Sequence, residues 1–294
     1  MILLTGASGF LGKILFRIFN QHSETVGLSF SQSCQAFRSL DLTDSIAVFT
    51  LLNDLKPSVV VHSAAWRDPD RCEQFPDGAR ALHVDATSLL AQWCAEHNAC
   101  LVYISTDYVF DGSNPPYYED DPPSPVNVYG ATKAAGESAA RFAPGHIIAR
   151  IPLQYGFSCV PDDSFLLKVI GQLNNKSQLI IDNYQYRYPT LSDDIARALL
   201  DLITDKYTGT IHLRADSRLT RYQMWLAIAD VFERSAANCR PAPQPVHQIA
   251  SRPADSQLAI ERFHSQNLSR FHDFREGLTI VRQQMSSYGY DWRT

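Results

Sequence analysis

Two hydrophobic patterns alternate along the chain. Residues 1–5, 25–30, 59–62, 100–105 and 146–151 are short, nearly continuous apolar runs and read as buried strands. Between them, residues 10–21, 46–55, 79–97 and 128–142 place apolar side chains three and four apart and read as helices; Leu11, Ile14, Leu15 and Ile18 share one face of the first. Strands without polar alternation need cover on both faces, which implies a parallel sheet between layers of helices. Right-handed crossovers wind that alternation into a Rossmann-like layer. After Ile151 the pattern weakens: helices are expected at 165–173, 192–204 and 222–233, strands at 179–181 and 210–213, and a loop at Pro241, Pro243 and Pro245. In the helix over 222–233, Met224 and Trp225 read as a buried face. The expected fold is α/β, a Rossmann-like parallel sheet flanked by helices. Residues 1–155 form the dinucleotide-binding domain, and 156–294 mainly a smaller C-terminal substrate lobe with segments returning to the sheet.

Size and charge narrow this picture. A chain of 294 residues buries roughly 75% of its unfolded surface and needs no metal or disulfide staple. Its 26 basic and 31 acidic residues leave a net charge of -5, which speaks against a dedicated nucleic-acid binder. No apolar window is long enough for a membrane span, and the N-terminal apolar run is too short, and lacks the basic start, of a signal peptide. Cys34, Cys72, Cys94, Cys100, Cys159 and Cys239 form no CxxC pair and read as reduced thiols of a cytoplasmic protein. Lysine is scarce beside arginine, so each lysine invites a reason for its presence.

The first strand runs into Thr5-Gly6-Ala7-Ser8-Gly9-Phe10-Leu11-Gly12. Gly6 permits a tight turn, Gly9 lets the backbone approach a pyrophosphate, and Gly12 lets helix and sheet pack closely. Amides at the start of the helix then face the anion. Gly6, Ser8, Gly9, Phe10 and Leu11 are therefore the candidate phosphate contacts, the alternative being a glycine turn without function. An NAD site usually places an acid at the end of strand two, whereas Leu28-Ser29-Phe30-Ser31 has none. Arg38 and Lys13 are candidate partners of a 2′-phosphate, the alternative being solvated side chains. The cofactor expected is NADPH, with NADH the alternative. Asp41 and Leu42 complete the adenosine end; Thr43 or Asp44 caps the following helix.

Tyr129 and Lys133 form the one Tyr-x-x-x-Lys pair in the sequence, with both side chains on one face of a predicted helix. A free phenol titrates near 10, too high for acid–base work at neutrality, and a nearby ammonium favours the phenolate. Upstream, Ser105-Thr106-Asp107-Tyr108-Val109-Phe110-Asp111-Gly112 lies where open α/β sheets bind ligands, at the C-terminal end of a strand. Thr106 is a candidate hydrogen-bond donor to a substrate carbonyl. Asp107 is either a proton or sugar-hydroxyl partner or a turn residue capping backbone amides. Trp66, Phe110 and Tyr155 are candidates to stack on a base or sugar, core packing being the alternative. His62 has no second ligand at helical spacing, and no metal is expected. The aromatic tail Tyr288-Gly289-Tyr290-Asp291-Trp292 is expected to dock on the body or on a second subunit.

These stretches, with His62-Ser63-Ala64-Ala65, Tyr129-Gly130-Ala131-Thr132-Lys133-Ala134-Ala135-Gly136-Glu137, Arg187-Tyr188-Pro189-Thr190 and Arg252-Pro253-Ala254-Asp255-Ser256-Gln257-Leu258, resemble the dTDP-4-dehydrorhamnose reductase family of extended short-chain dehydrogenases/reductases. That family also includes the regulatory beta subunit of methionine adenosyltransferase. The resemblance implies NADPH-dependent reduction of the 4-keto group of a nucleotide-linked deoxysugar. Thr106, Tyr129 and Lys133 would be its catalytic trio, with Tyr129 and Lys133 also on the cofactor. Ala64 and Ala65 would line the cofactor. Trp66, Asp107, Phe110, Arg187 and Arg252 are the substrate-binding candidates, although Arg252 read alone is equally a surface ion pair. Leu153 stands where rhamnose-forming members often carry tryptophan, Arg187 where they tend to carry a small residue, and no acid lies at 13–15, where some contribute a metal ligand. In the first two places, and in Trp66-Arg67-Asp68-Pro69-Asp70, the sequence is closer to the regulatory subunit. The alternative function is therefore a non-catalytic NADP-binding subunit. The protein partners considered are a second copy of the chain and a partner enzyme.

Overall fold

The computed structural model describes all residues except 31–35, 159–163, 175–176, 247, 267, 291 and 293–294. Cys34, Cys159, Ser31 and Asp291 therefore lie outside the described residues. The apolar runs become strands β1 (Ile2–Thr5), β2 (Thr25–Ser29), β4 (Val59–His62), β5 (Cys100–Thr106) and β6 (His146–Ile151), with β3 (Phe37–Ser39) added at one edge. Among the described residues seven strands form one sheet in the order β3–β2–β1–β4–β5–β6, closed by the strand Gly209–His212 against β6. Every pairing in it is parallel.

Helices α1 (Phe10–Phe19), α2 (Ser45–Leu55), α3 (Pro69–Gln74), α4 (Pro76–Arg80), α5 (Ala86–His97), α6 (Val128–Ala140), α7 (Phe165–Leu173), α8 (Ser192–Thr204), α9 (Arg221–Val231), α10 (Glu261–His264) and α11 (Phe274–Ser287) follow along the chain. Successive strand residues point to opposite faces, so one strand feeds two cores. Leu4, Val61, Val102 and Ala149 pack with α1 and α8 on one face. Leu3, Val60, Leu101 and Ile148 pack with α2 and α5 on the other. A separate cluster joins α7, α9 and α11 around Phe157, Met224, Trp225 and Trp292. The aromatic tail docks there on the chain's own body: Trp292 meets Phe232 edge-on, and Arg234 donates to the Trp292 carbonyl.

The single helix expected over 79–97 is broken. α4 passes into one π turn, Ala81–Asp85, before α5 begins. The turn packs against α6, whose Gly136 leaves no room for a side chain; a Cβ there would lie 2.2 Å from the Tyr103 hydroxyl and 2.3 Å from the His83 carbonyl.

A buried ion pair joins α6 to the sheet. Arg150 on β6 donates to both carboxylate oxygens of Glu137 on α6, at 2.9 and 2.8 Å. Arg150 also donates to the Glu119 carbonyl at 3.2 Å, and the Ser105 hydroxyl donates to Glu137 at 2.6 Å. Both charged side chains are at most 1% exposed, so removal of one strands the other in low dielectric. Glu137→Ala is expected to lower the unfolding free energy by about 3–5 kcal/mol. Denaturant titration measures this, and a loss below about 1 kcal/mol, the scale of an exposed pair, contradicts it.

Candidate functional site

The turn after β1 has the geometry its glycines suggest. Gly6 adopts φ +68°, and a Cβ there would meet the Ala64 backbone at 2.7 Å. A Cβ on Gly12 would meet the Gly6 carbonyl at 2.0 Å, so helix and strand touch only without one. Gly9 is the exposed N-cap of α1 and supplies no side-chain cap, which leaves first-turn amides facing the mouth of the turn. Phe10 and Leu11 contribute there through backbone only, since their rings and branches sit in the core. Ser8 accepts a hydrogen bond from Ser29, which stands at the end of β2 in place of an acid, at 2.9 Å. Thr5 Oγ1 accepts from the amides of Ser63 and Ala64, each at 3.2 Å, and so donates its proton to His62 Nδ1 at 2.8 Å. Ala64 and Ala65 are thereby held beside Gly6.

At the adenosine end, Arg38 is exposed on β3 level with Leu28. The Asp41 carboxylate is engaged locally, accepting from the amide and hydroxyl of Thr43 at 2.8 and 2.7 Å. Asp44 caps α2. Leu42 departs from the expectation of a cofactor contact: its side chain is buried in the core beneath α2.

Thr106, at the end of β5, lies within hydrogen-bonding reach of the Tyr129 phenol on the first turn of α6. Asn127 caps that helix by accepting from the Gly130 amide at 2.8 Å. Gly130 is required, because a Cβ would lie 2.1 Å from the Tyr108 carbonyl. One turn further on, Lys133 is only 2% exposed. Its ammonium donates to the Ile104 carbonyl at 2.6 Å and sits 3.9 Å from the centre of the Tyr103 ring. Burial lowers its pKa to about 7, partly offset by Glu137. The tyrosine goes against the sequence expectation. Burial pushes the phenol well above its ordinary value, and the Thr106 hydrogen bond opposes this. The lysine's ammonium is held by the Ile104 carbonyl and the Tyr103 ring.

Asp107 is buried and caps no neighbouring helix amide. It accepts from the hydroxyls of Thr106 and Ser256, and burial raises its pKa despite the nearby Arg187. Arg187 in turn donates to the Tyr108 hydroxyl at 3.1 Å and to the Pro253 carbonyl at 3.0 Å. Tyr108 packs edge-on to Tyr129 at 6.0 Å between ring centres. Arg252 pairs with Asp70 at 3.0 Å. Burial lowers the pKa of Arg221 at the start of α9; Tyr108 and Asp182 oppose this, and Arg187 and Arg252 add to it.

Trp66 is half-buried, with the Arg71 guanidinium 3.9 Å from its ring centre. Phe110 and Tyr155 are core residues rather than stacking platforms. Phe110 is fully buried, stacked on Tyr117 at 4.3 Å with Arg150 over its ring, and Tyr155 packs on Phe274. Among the described residues no three His, Cys, Asp or Glu side chains are grouped to hold a metal, and no helix is long and apolar enough to cross a membrane.

Sequence reasoning passed over Tyr108, Glu137, His83, Arg221 and Ser256. Tyr108, Glu137 and Ser256 lie inside stretches that were singled out for other residues. Arg221 and His83 carry no local signal.

The chain is similar to known proteins over most of its length. The family model described as "RmlD substrate binding domain" matches residues 1–287. The methionine adenosyltransferase 2 subunit beta of Mus musculus is 38% identical over 286 residues, covering 94% of this chain and 85% of that protein. A probable low-salt glycan biosynthesis reductase of Haloferax volcanii is 31% identical over 225 residues, covering 74% of this chain and 75% of that protein. The crystal structure of a dTDP-4-dehydrorhamnose reductase of Clostridium acetobutylicum superposes with a TM-score of 0.85 at 28% identity, covering 97% of this chain and 99% of that one.

The buried lysine has a pH signature. Its pKa falls from 10.5 in the unfolded chain to about 7 in the folded one. Between these values the unfolded chain binds a proton that the folded chain lacks, so the lysine's contribution to stability rises with pH across that window and is flat below it. Wild type is expected to gain stability relative to Lys133→Met between pH 7 and 10. Paired denaturant titrations measure the difference, and one that does not change with pH refutes the burial of the charge.

Proposed function

The chain belongs to the RmlD substrate-binding-domain family, and from that premise we propose that it is an NADPH-dependent reductase of the 4-keto group of a nucleotide-linked deoxysugar. What supports this reading is that Thr106 at the end of β5 hydrogen-bonds Tyr129 on α6, while Lys133, one turn further along α6, donates to the Ile104 carbonyl of the same strand.

The residues present fit a dinucleotide. A turn with no room for a Cβ at Gly6 or Gly12, a helix start without a side-chain cap, and the Ser63–Ala64 segment held against it by Thr5 make a backbone-lined cradle that suits a pyrophosphate. Amides near Gly9, Phe10 and Leu11 would hold the pyrophosphate, with Arg38 and Asp41 at the adenosine end. When bound, the reduced nicotinamide supplies hydride. The chain's part is to fix the carbonyl and give it a proton. Thr106 and Tyr129 would both address the carbonyl oxygen, and a phenol kept protonated by burial suits proton donation in the direction of reduction. Lys133 would leave the Ile104 carbonyl for the cofactor's ribose and so bring its charge to the phenol. Arg187, Arg221 and Arg252 supply cationic donors for the diphosphate of a sugar nucleotide, with Arg the residue suited to forked phosphate contacts. Trp66 and Asp107 would flank the sugar.

A second reading is supported by the 38% identity, across 94% of the chain, to a methionine adenosyltransferase subunit. In it the same pocket holds NADP without turnover, and the chain regulates a partner enzyme. Fold alone does not separate the two, because one scaffold serves many functions.

The purified chain is expected to oxidise NADPH in the presence of dTDP-4-dehydrorhamnose, and Tyr129→Phe to reduce the rate by roughly 10²–10⁴-fold. A Tyr129→Phe variant with full activity removes the mechanism. Wild-type chain that binds NADPH without turnover and co-elutes with a methionine adenosyltransferase catalytic subunit establishes the second reading instead.

A further inference from the structure

We propose that His83 is a positioning residue of the cofactor pocket, tying the Ala64–Ala65–Trp66 segment to the helix that carries Tyr129 and Lys133. The inference rests on the reading of that pocket as a nicotinamide site, and adds to it a residue that touches neither cofactor nor substrate.

The hydrogen bonds of His83 settle its form. Nε2 is 3.0 Å from the Trp66 backbone amide, which can only donate, so Nε2 is an acceptor. The proton of the neutral ring is then on Nδ1, which donates to Thr132 Oγ1 at 2.9 Å. Thr132 passes the interaction on through its one hydroxyl proton, shared between the carbonyls of Val128 and Tyr129 at 2.9 and 3.0 Å. The chain of bonds thus runs from the loop after β4 through one imidazole to the peptide of the tyrosine. Thr132 immediately precedes Lys133, and the imidazole meets the Tyr129 ring edge-on at 5.9 Å.

The local backbone is shaped for this placement. His83 is the middle residue of the π turn, and wide single turns of this kind are frequent at functional sites. The carbonyl of His83 takes hydroxyl donors, Thr87 at 2.7 Å and Tyr103 at 3.4 Å. Burial first, then the Lys133 ammonium and His62, hold the ring neutral with a pKa of about 2, against an opposing backbone hydrogen bond with Trp66. A protonated ring would turn an N–H toward the Trp66 N–H, so only the neutral form can bridge the two elements.

Three variants test the assignment. His83→Phe keeps a ring but removes both bonds; His83→Gln keeps one acceptor and one donor; Thr132→Val removes only the Nδ1–H acceptor. The readouts are the NADPH dissociation constant by fluorescence titration and the imidazole tautomer by ¹⁵N NMR of the wild-type chain. Leaving buried partners unsatisfied costs enough that His83→Phe is expected to weaken NADPH binding about tenfold or more, with His83→Gln recovering most of the loss. Thr132→Val is expected to shift binding in the same direction, and carries the test if the Phe variant does not fold. The ring is expected as the Nδ1–H tautomer. Equal affinity in the Phe and Gln variants, or an Nε2–H ring, overturns the proposal. Wild-type chain that binds no NADPH overturns it together with the cofactor reading. Binding without turnover of the 4-keto sugar overturns the reductase reading alone.

Discussion

The pair Arg150–Glu137 is the constraint on which the rest of the site depends. It links the middle of α6 to β6, while Ser105 and the Glu119 carbonyl fill the remaining hydrogen-bonding positions. Two charges taken out of water recover their desolvation cost only in good geometry with the other donors and acceptors satisfied. The forked, two-bond contact meets that condition and also removes rotational freedom from the helix. Glu137 lies one turn after Lys133, which lies one turn after Tyr129. Fixing Glu137 therefore aims all three at the end of β5. The arginine is also used twice, since its guanidinium covers the ring of Phe110 and holds that aromatic in the core.

The second constraint is the density of neutral polar groups around Lys133. Two imidazoles, the Tyr103 ring and the Ile104 carbonyl enclose it, and burial lowers the pKa of both imidazoles to about 3 and 2. The lysine's field adds to that lowering, so burial first and the ammonium second keep both rings neutral. Arg187 and Arg252 act on Arg221 at the start of α9, with Asp182 opposing them, although the chain as a whole carries -5. Overall charge is thus a poor guide to this ligand, because a local cluster sets the field at short range.

Membership of a family containing both reductases and an enzyme subunit fits this architecture. The glycine turn, the α6 anchor and Thr106, Tyr129 and Lys133 come from the alternating first half of the chain, whereas Arg187, Arg221, Arg252 and Ser256 come from the C-terminal half. In the proposed reading, the first set would hold the dinucleotide and the second would decide what is done with it.

How much of this was legible in the sequence follows from the range of each interaction. Strand runs, helix faces, the Gly6–Gly9–Gly12 turn and the Tyr129–Lys133 spacing are local periodicities, so residue order alone determined them. The long helix over 79–97 was legible as helix, but not as α4, a π turn and α5, because the widening answers Gly136 and Tyr103 from elsewhere in the chain. Phe110 and Leu42 have the composition of ligand contacts, and only packing assigned them to the core. The tyrosine's acidity was misjudged for the same reason: helical spacing places Lys133 near it but carries no information on burial, which raises the phenol. Asp107 with Ser256 and His83 with Trp66 and Thr132 join segments far apart in sequence. Their identities as site residues are properties of the closed fold, in which burial turns a distant hydroxyl or imidazole into an obligatory partner.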